Sequence, residues 1–242
     1  MTGNKFINYA HRGASHYAPE NTFASFYKAI EMQANGIETD IQSTKDGVLV
    51  LHHDDTLKRI CGIDKPVGEF TLKELRELDF GTFFDTKYEG EKIVTLIDFL
   101  SYFASKPITF AIEIKEEGIE NEVLHICRKY LNDNQFYITS FYLRSILWLA
   151  DMPSPPNLGF LSEGPVEDIA KILSTVGVKQ FCPYAPSLDE AKIKYLRNMG
   201  FNIRAWGVGN EDIMRKAYLL GVDGMTVNFP AKLKELMETE AR

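Results

Sequence analysis

Short apolar runs alternate with amphipathic stretches along most of this 242-residue chain. Eight of the apolar runs have the length and composition of buried β-strands. They cover residues 6–11, 37–42, 108–115, 136–141, 157–161, 180–183, 202–208 and 224–227. Most neighbouring runs are separated by a helical segment, which indicates parallel strands joined by crossover helices. Eight such units in a chain of this length predict an α/β fold, the closed (β/α)8 or TIM barrel.

Capping residues mark the ends of the helical segments. Glycine suits the left-handed position after the last turn of a helix, and four glycines are expected to serve there: Gly36, Gly177, Gly200 and Gly221. Three pairs have the spacing of a capping box: Thr71 with Glu74, Thr95 with Asp98, and Ser187 with Glu190. Asn210 is expected to cap a helix over residues 211–220.

A ninth strand candidate, residues 48–53, departs from the alternation. The five residues 43–47 that precede it are too few for a crossover helix, and Asp46 with Gly47 is a turn signal. We therefore expect a hairpin arm, antiparallel to the end of the second strand. Residues from about 55 to 92 contain one helical pattern, 72–78, and otherwise no barrel unit. They predict a small insertion within a single domain that spans residues 1–242.

Composition and charge exclude some classes of function. Hydrophobic residues make up 45% of the chain and charged residues 25%, as in an ordinary globular protein. The net charge of −7 argues against a nucleic-acid partner, because such proteins carry a basic face. No apolar run approaches the roughly 18 residues that would cross a bilayer, so we expect no stable membrane insertion. The oligomeric state is left open.

The three cysteines are Cys61, Cys127 and Cys182, and they form no CxxC pair. Their odd number and wide spacing indicate free, mostly buried thiols in a reducing compartment. The residues before the first strand are few and polar, without the apolar stretch of a signal peptide. Together these features predict a cytoplasmic location.

Polar residues are concentrated where strands of the predicted barrel end, which is where barrel enzymes carry their active sites. Side chains alternate along a strand, so Glu38 and Asp40 share one face, and Glu113 and Lys115 share another. Their aliphatic neighbours suit the helix-covered face, so the four polar side chains should point inward. Three carboxylates in a small volume repel one another, and oxygen ligands suit Mg²⁺ or Ca²⁺. The alternative is a salt network in which Glu113 and Lys115 pair inside the barrel.

Two histidines and two cations flank the same region. His11 ends the first strand, and His52 and His53 end the arm. Imidazole can donate or accept a proton near neutral pH, although alternation alone leaves open which histidine of the adjacent pair faces the site. Arg12 and Lys115 offer fixed positive charge for a phosphate group. The alternative for Arg12 is a surface or capping role.

The chain resembles the glycerophosphodiester phosphodiesterases, which share a barrel with the phosphatidylinositol-specific phospholipases C. The resemblance runs from residue 10 to about residue 230. Its specific segments are Ala10-His11-Arg12-Gly13, residues 18–22, Glu38-Thr39-Asp40, residues 44–47, residues 53–59 and Glu113-Ile114-Lys115. Shorter matches follow at residues 140–141, 205–206 and 221–224.

The resemblance implies a phosphoric diester hydrolase that acts on a small glycerophosphodiester and uses a divalent metal ion, Mg²⁺ or Ca²⁺. It implies roles in catalysis for His11 and His53, in metal binding for Glu38, Asp40 and Glu113, and in phosphate binding for Arg12 and Lys115. His53 falls on the histidine of the family, which makes His52 the spare. Asn21 would shape the site or cap a helix, and Trp206 would line the pocket mouth or pack in the barrel core.

The chain departs from the family pattern near its end. Members often have threonine and asparagine where this chain has Gly207 and Gly209, and aspartate is common in place of Asn228. The polar set of the site is complete despite these differences. They concern the last two strands of the barrel and therefore the contacts that would recognise the alcohol group.

Two other functions are weighed against this one. A phospholipase acting on intact lipid should expose an apolar rim near the barrel mouth, for which the candidates are Phe80, Phe83, Phe84 and Tyr88. The many charges in residues 68–88 favour a lid over a small polar diester instead. A catalytically silent binding module should have lost members of the polar set, and none is missing.

Overall fold

The computed structural model describes residues 6–240 and confirms the predicted barrel. The strands in these residues are β1 Ile7–His11, β2 Gly36–Ser43, β3 Leu49–Leu51, β4 Thr109–Ile114, β5 Phe136–Ser140, β6 Leu158–Ser162, β7 Gln180–Pro183, β8 Asn202–Val208 and β9 Gly224–Val227. All except β3 pair in parallel, and β1 contacts both β2 and β9. These pairings close the eight parallel strands into a (β/α)8 barrel.

Helices follow the barrel strands in the order that the alternation predicts. Those of the described residues are α1 Phe23–Glu31, α2 Lys58–Cys61, α3 Leu72–Glu77, α4 Leu96–Phe103, α5 Glu120–Tyr130, α6 Leu143–Ala150, α7 Glu167–Thr175, α8 Glu190–Asn198, α9 Glu211–Leu219 and α10 Pro230–Glu240. Helix α1 follows β1, α4 follows β2 and the insertion, and α5 to α10 follow β4 to β9 in turn. Each crossover thus returns the chain for another parallel strand.

The main core lies between the outer face of the barrel and the surrounding helices. The Phe26 ring lies 4.5 Å from the Phe99 ring, which in turn lies 5.6 Å from that of Phe110 on β4. All three side chains are fully buried. Each contributes roughly 2–3 kcal/mol relative to an exposed side chain. The outward residues of the strands therefore hold the helices in place and leave the inward residues free for polar roles.

The hairpin arm and the insertion are both present. Strand β3 pairs antiparallel with the end of β2, with Ile41 opposite Leu51 and Ser43 opposite Leu49. It is shorter than the predicted arm at residues 48–53. The insertion contains α2 and α3 and buries a second apolar cluster, which consists of Val50, Leu57, Ile60, Val67, Leu75, Phe80 and Ile93. This cluster joins the arm to the insertion as one packed unit.

Most predicted helix ends are confirmed. Gly177, Gly200 and Gly221 have positive φ angles after α7, α8 and α9. The side chains of Thr71, Thr95 and Asn210 accept hydrogen bonds from the backbone at the starts of α3, α4 and α9. Local capping chemistry therefore sets most of these boundaries.

Two predicted helix ends are wrong. Gly36 is the first residue of β2, and a Cβ atom there would lie 2.7 Å from side-chain atoms of Ile7 and of Tyr9. The close approach of β1, and not a helix end, requires this glycine. Ser187 does not cap α8, because it lies in a 3₁₀ turn. The Asp189 side chain accepts a hydrogen bond from the Lys192 backbone N–H and caps the helix instead.

The register of the barrel brings the polar residues together. His11 on β1 lies opposite Glu38 on β2, and Asp40 on β2 lies opposite Glu113 on β4. Because the strands are parallel, their carboxyl ends meet at one end of the barrel, where the loops that follow can cover them.

The thiols agree with the prediction from composition. Cys61, Cys127 and Cys182 are free, and the last two are buried. Within residues 6–240, no helix combines the length and the apolar character that would be needed to cross a membrane.

Candidate active site

Three carboxylates form the centre of the site. Glu38, Asp40 and Glu113 are all buried, and each places an oxygen within 4.8 Å of an oxygen from the other two. Their inward direction follows from the strand alternation, and their proximity from the register of β2 with β4. An all-oxygen set at this spacing fits a hard divalent cation.

Two cations already contact these carboxylates. The Arg12 Nε atom lies 3.1 Å from Asp40 Oδ2, and the Lys115 Nζ atom lies 3.0 Å from Glu113 Oε1 and 3.9 Å from Asp40 Oδ1. The pairing of Glu113 with Lys115 is therefore present together with the acidic cluster, and not in place of it. Among the described residues, Asp40 Oδ1 has no hydrogen-bond donor, so one buried oxygen is left for a cation to satisfy.

The pKa values of the three carboxyl groups are pushed apart. Burial raises the pKa of Glu38 well above its ordinary value, and Asp40 and Glu113 raise it further. Burial, followed by Asp40, also raises the pKa of Glu113. Burial opposes ionisation of Asp40, but Arg12, His53 and Lys115 outweigh it and lower the pKa of that group. Without a metal ion, the state in which all three carboxyl groups are ionised is therefore disfavoured.

A tight turn after β1 directs Arg12 toward the cluster. Arg12 and Gly13 have φ angles of 55° and 82°, in the left-handed region. A Cβ atom on Gly13 would lie 2.6 Å from Ser25 Cβ, so the close approach of α1 requires glycine there. Asn21 supports the same region, since its Nδ2 atom donates to Asp40 Oδ2 at 3.1 Å and its Oδ1 atom accepts from Thr39 at 2.7 Å. These contacts support the site-shaping reading of Asn21, while Thr22 caps α1.

His11 lies between the cluster and the last strand. Its Nδ1 atom is 2.5 Å from Asn228 Oδ1, and its Nε2 atom is 3.9 Å from Glu38 Oε2. Burial, followed by the charge of Arg12, lowers the pKa of His11 to about 3. The ring is therefore neutral, and an accepting amide oxygen assigns the proton to Nδ1. The Nε2 lone pair then faces the cluster.

His53 has a different partner. Its Nδ1 atom lies 2.8 Å from Asp54 Oδ1. Burial opposes ionisation of Asp54, but hydrogen bonds from Arg59 and His53 lower its pKa. Arg59 also contacts Glu20 at 2.7 Å, and Glu20 receives a hydrogen bond from Arg12 at 3.0 Å. This chain of ion pairs ties the arm to the turn after β1.

The two adjacent histidines lie in different surroundings. His53 lines the cavity of the site. His52 is buried on the other side of the arm, where its Nε2 atom lies 3.2 Å from the Thr56 carbonyl oxygen and its ring lies 6.4 Å from that of Phe80. The geometry therefore places His53, and not His52, at the cavity.

A cavity of about 220 Å³ opens beside the carboxylates. Five of the residues that the sequence predicts for the site line this cavity: His11, Arg12, His53, Glu113 and Trp206. Glu38, Asp40 and Lys115 lie against these residues through the contacts given above. The wall also contains Phe141, Thr226 and Asn228, which the sequence did not assign to the site.

Aromatic rings form one wall of this cavity. The Trp206 ring lies 4.9 Å from Phe141 and 5.0 Å from Tyr184, and its Nε1 atom donates to the Ser162 carbonyl oxygen at 3.3 Å. Gly207 has a φ of 71°, and a Cβ atom there would clash with the Tyr184 ring. The glycine that departs from the family pattern therefore makes room for Tyr184 beside Trp206. Trp206 lines the pocket instead of packing in the barrel core.

Comparison with known proteins gives a consistent result. The sequence model of the glycerophosphoryl diester phosphodiesterase family matches residues 11–232. The protein YhdW of Bacillus subtilis strain 168 is 35% identical, with 91% of this chain and 93% of that protein covered. A glycerophosphodiester phosphodiesterase of Caldanaerobacter subterraneus subsp. tengcongensis is 31% identical, covering 96% of this chain and 98% of the relative.

A solved structure has the same fold. It is a phosphodiesterase of Oleispira antarctica in complex with the product sn-glycerol-3-phosphate, and it is 23% identical to this chain. The superposition has a TM-score of 0.88 and covers 96% of each chain. At this level of identity the similarity establishes the barrel.

The pKa of Glu38 generates a prediction for the metal-free protein. A carboxyl group whose pKa is raised by folding stabilises the fold below its unfolded pKa and loses that contribution as pH rises through the folded value. The substitution Glu38→Gln keeps the size of the side chain and makes it uncharged at every pH. In EDTA we expect the variant to exceed the wild type in free energy of unfolding by about 1 kcal/mol or more near pH 8, with a smaller difference near pH 5. Urea denaturation at both pH values measures this.

Glu120→Gln is the matched control, because Glu120 is buried elsewhere and accepts from Ser145. A Glu38→Gln variant that is less stable than the wild type at every pH would contradict the electrostatic description of the cluster.

Proposed function

The chain belongs to the glycerophosphoryl diester phosphodiesterase family and is a phosphoric diester hydrolase, and we propose that it hydrolyses glycerophosphodiesters to an alcohol and glycerol 3-phosphate with the help of a divalent metal ion. The observation that carries this proposal is the meeting of three buried carboxylates and two histidines at one cavity. The Oleispira antarctica relative, which holds sn-glycerol-3-phosphate as a product, supports the nature of the product.

Glu38, Asp40 and Glu113 are the proposed metal ligands. Their oxygens suit Mg²⁺ or Ca²⁺, which take oxygen ligands at about 2.0–2.6 Å. The Asp40 oxygen that accepts no hydrogen bond from the described residues supports this assignment. When bound, the ion would polarise the phosphoryl oxygens and offset the negative charge of the transition state.

Arg12 and Lys115 are the proposed phosphate contacts. Arg12 lies in the cavity wall, and its partners Asp40 and Glu20 fix the direction of its guanidinium group. Lys115 lies beside Glu113. A guanidinium and an ammonium group held in this way would orient the diester before reaction and stabilise its developing charge.

His11 and His53 are the proposed acid–base pair. One would take a proton from the nucleophile, and the other would give a proton to the oxygen of the leaving alcohol. The nucleophile is water or, through a cyclic phosphate, the 2-hydroxyl of the substrate's own glycerol. Each ring is oriented through Nδ1, His11 by Asn228 and His53 by Asp54, which leaves both Nε2 atoms for the substrate.

Trp206 is proposed to line the half of the pocket that holds the substrate's apolar surface. Its contacts with Phe141 and Tyr184 support this role, because they hold the indole ring at the wall of the cavity, which Phe141 also lines. The free thiols suit a reducing compartment, so a cytoplasmic location is part of the proposal. The proposal also treats residues 1–242 as one domain.

The phospholipase alternative receives less support. Phe80 is buried in the insertion, Phe83 packs against the same cluster, and neither Phe84 nor Tyr88 is among the exposed large apolar side chains of residues 6–240. The Tyr88 hydroxyl donates to the Tyr17 carbonyl oxygen at 3.0 Å, which ties the insertion to the loop after β1. These aromatic residues therefore pack within the insertion and leave little apolar surface for a bilayer. A silent binding module would not require the complete catalytic set.

Metal dependence is the first expectation. Hydrolysis of glycerophosphocholine, glycerophosphoethanolamine and glycerophosphoglycerol should stop in EDTA and return with Mg²⁺ or Ca²⁺, because without the ion the carboxylates repel the negatively charged phosphate and its oxygens are not polarised. Phosphate-ester analysis by ³¹P NMR follows the product directly. Full turnover by protein shown by elemental analysis to be metal-free would refute the metal part of the proposal.

The histidines provide a second expectation. His11→Ala and His53→Ala should each lower kcat by about 10²-fold or more, the usual scale of general acid–base catalysis. His52→Ala is the matched control, since it changes the adjacent residue of the same arm and should cost far less. Steady-state kinetics with glycerophosphocholine measures all three. A larger loss for His52→Ala than for His53→Ala would show that the proposal names the wrong histidine of the pair.

Substrate class is the third expectation. Deacylated glycerophosphodiesters should be turned over much faster than intact phospholipid vesicles at matched phosphate concentration, because the insertion carries many charged side chains and little exposed apolar surface. The dependence on headgroup should be modest if glycerol phosphate is the recognised half. Faster hydrolysis of vesicles would make the phospholipase function the better one.

A further inference from the structure

One arginine of the insertion joins two separate parts of the site without lining the cavity. Arg59 is on α2, and no role was expected for it from the sequence. Its guanidinium group forms ion pairs with two carboxylates at once, Asp54 and Glu20. Asp54 lies five residues before it, next to the arm, whereas Glu20 lies 39 residues before it, between β1 and α1. A side chain of the insertion therefore connects the arm to the loop that follows β1.

Both contacts of Arg59 have two hydrogen bonds. The guanidinium group donates to Asp54 from Nε at 2.7 Å and from Nη2 at 3.0 Å. It donates to Glu20 from Nη1 at 2.7 Å and from Nη2 at 2.8 Å. Its central carbon lies 6.0 Å from the centre of the Phe83 ring. Paired bonds from a planar group fix direction as well as distance, which the single ammonium group of a lysine cannot do.

Each of the two carboxylates also holds a residue of the cavity wall. Asp54 Oδ1 lies 2.8 Å from His53 Nδ1, and Glu20 Oε1 accepts a hydrogen bond from Arg12 Nη1 at 3.0 Å. The His53 ring thus takes its orientation from Asp54. Arg59 in turn sets the position of Asp54 against Glu20, at the turn that carries Arg12.

The alternative is that Arg59 only stabilises the fold of the insertion. The insertion has an apolar cluster of its own, to which Leu57 and Ile60 contribute buried side chains on either side of Arg59. The Arg59 side chain is 44% exposed, and ion pairs at such positions contribute little to stability. The apolar cluster therefore holds the insertion together, and the paired bonds of Arg59 are left to set the geometry between the arm and the loop.

We propose that Arg59 is a positioning residue for His53. By binding Asp54 and Glu20 together, it holds the imidazole ring in a fixed place relative to the turn that carries Arg12. The inference rests on the proposed function, in which His53 transfers a proton while Arg12 holds the phosphate. A displacement of roughly 1 Å in such a group can cost about 10²-fold in rate.

Steady-state kinetics with glycerophosphocholine, in the presence of Mg²⁺ and Ca²⁺, tests the proposal. Arg59→Lys keeps the charge but loses the paired bonds, so kcat should fall by at least about tenfold. Its Tm should fall by no more than about 4 °C. Arg128→Lys is the matched control, because Arg128 forms the same paired contact with Asp133 in the last turn of α5, at the other end of the barrel. That variant should keep kcat within about twofold.

A His53→Ala background separates positioning from a structural role. Arg59→Lys should lower the kcat of the His53→Ala variant by less than about threefold, because no imidazole ring is left to be misplaced. A structural role would lower kcat by the same factor in both backgrounds, and that result overturns the proposal. A loss smaller than about tenfold in the wild-type background, or an Arg59→Lys variant that does not fold, also overturns it.

Crystal structures of the wild type and of Arg59→Lys give a readout that does not depend on turnover. The His53 ring should move by roughly 1 Å or more in the variant, while the main chain of residues 55–92 stays in place. A His53 ring that keeps its position overturns the proposal. A wild type that hydrolyses no glycerophosphodiester contradicts the proposed function instead, and the two failures are thus distinguishable.

Discussion

The repulsion among three buried carboxylates is the constraint on which the site depends. Glu38, Asp40 and Glu113 come from two neighbouring strands, and the barrel brings their oxygens within 4.8 Å of one another. Such a cluster costs free energy unless positive charge accompanies it. The turn that carries Arg12 and the inward direction of Lys115 supply that charge. The apolar core outside the barrel holds the strands close enough for the cluster to exist.

The same constraint relates structure to chemistry. A site that holds concentrated negative charge can accept a divalent ion, and an ion beside two cations can accept a phosphodiester. The two histidines at the cavity differ in their partners. His11 is oriented by the neutral amide of Asn228, and His53 by the carboxylate of Asp54. The insertion fixes the arm that carries His53 through Arg59 and Glu20.

Much of this architecture could be predicted from local patterns. The alternation of strands and helices is repeated eight times, and the parity of residues along β2 and β4 turned Glu38, Asp40, Glu113 and Lys115 to one side. Features that failed or were missed depend on contacts distant in sequence. Asn228 meets His11 across 217 residues, and Gly36 is set by its approach to β1 and not by the helix before it. The buried Arg204 on β8 was missed because a basic residue in a strand gives no sign of its burial, which depends on closure of the barrel.

The central claim is that the carboxylate cluster holds a divalent ion that contacts the phosphate of the ligand. A crystal structure grown with Mn²⁺ and glycerol 3-phosphate, recorded with anomalous scattering from manganese, tests it directly. The account predicts one strong anomalous peak bound by Glu38, Asp40 and Glu113, with a phosphate oxygen as a further ligand and the phosphate within hydrogen-bond distance of Arg12. A phosphate bound in the cavity with no metal among these carboxylates, or a metal bound elsewhere in the protein, would contradict it.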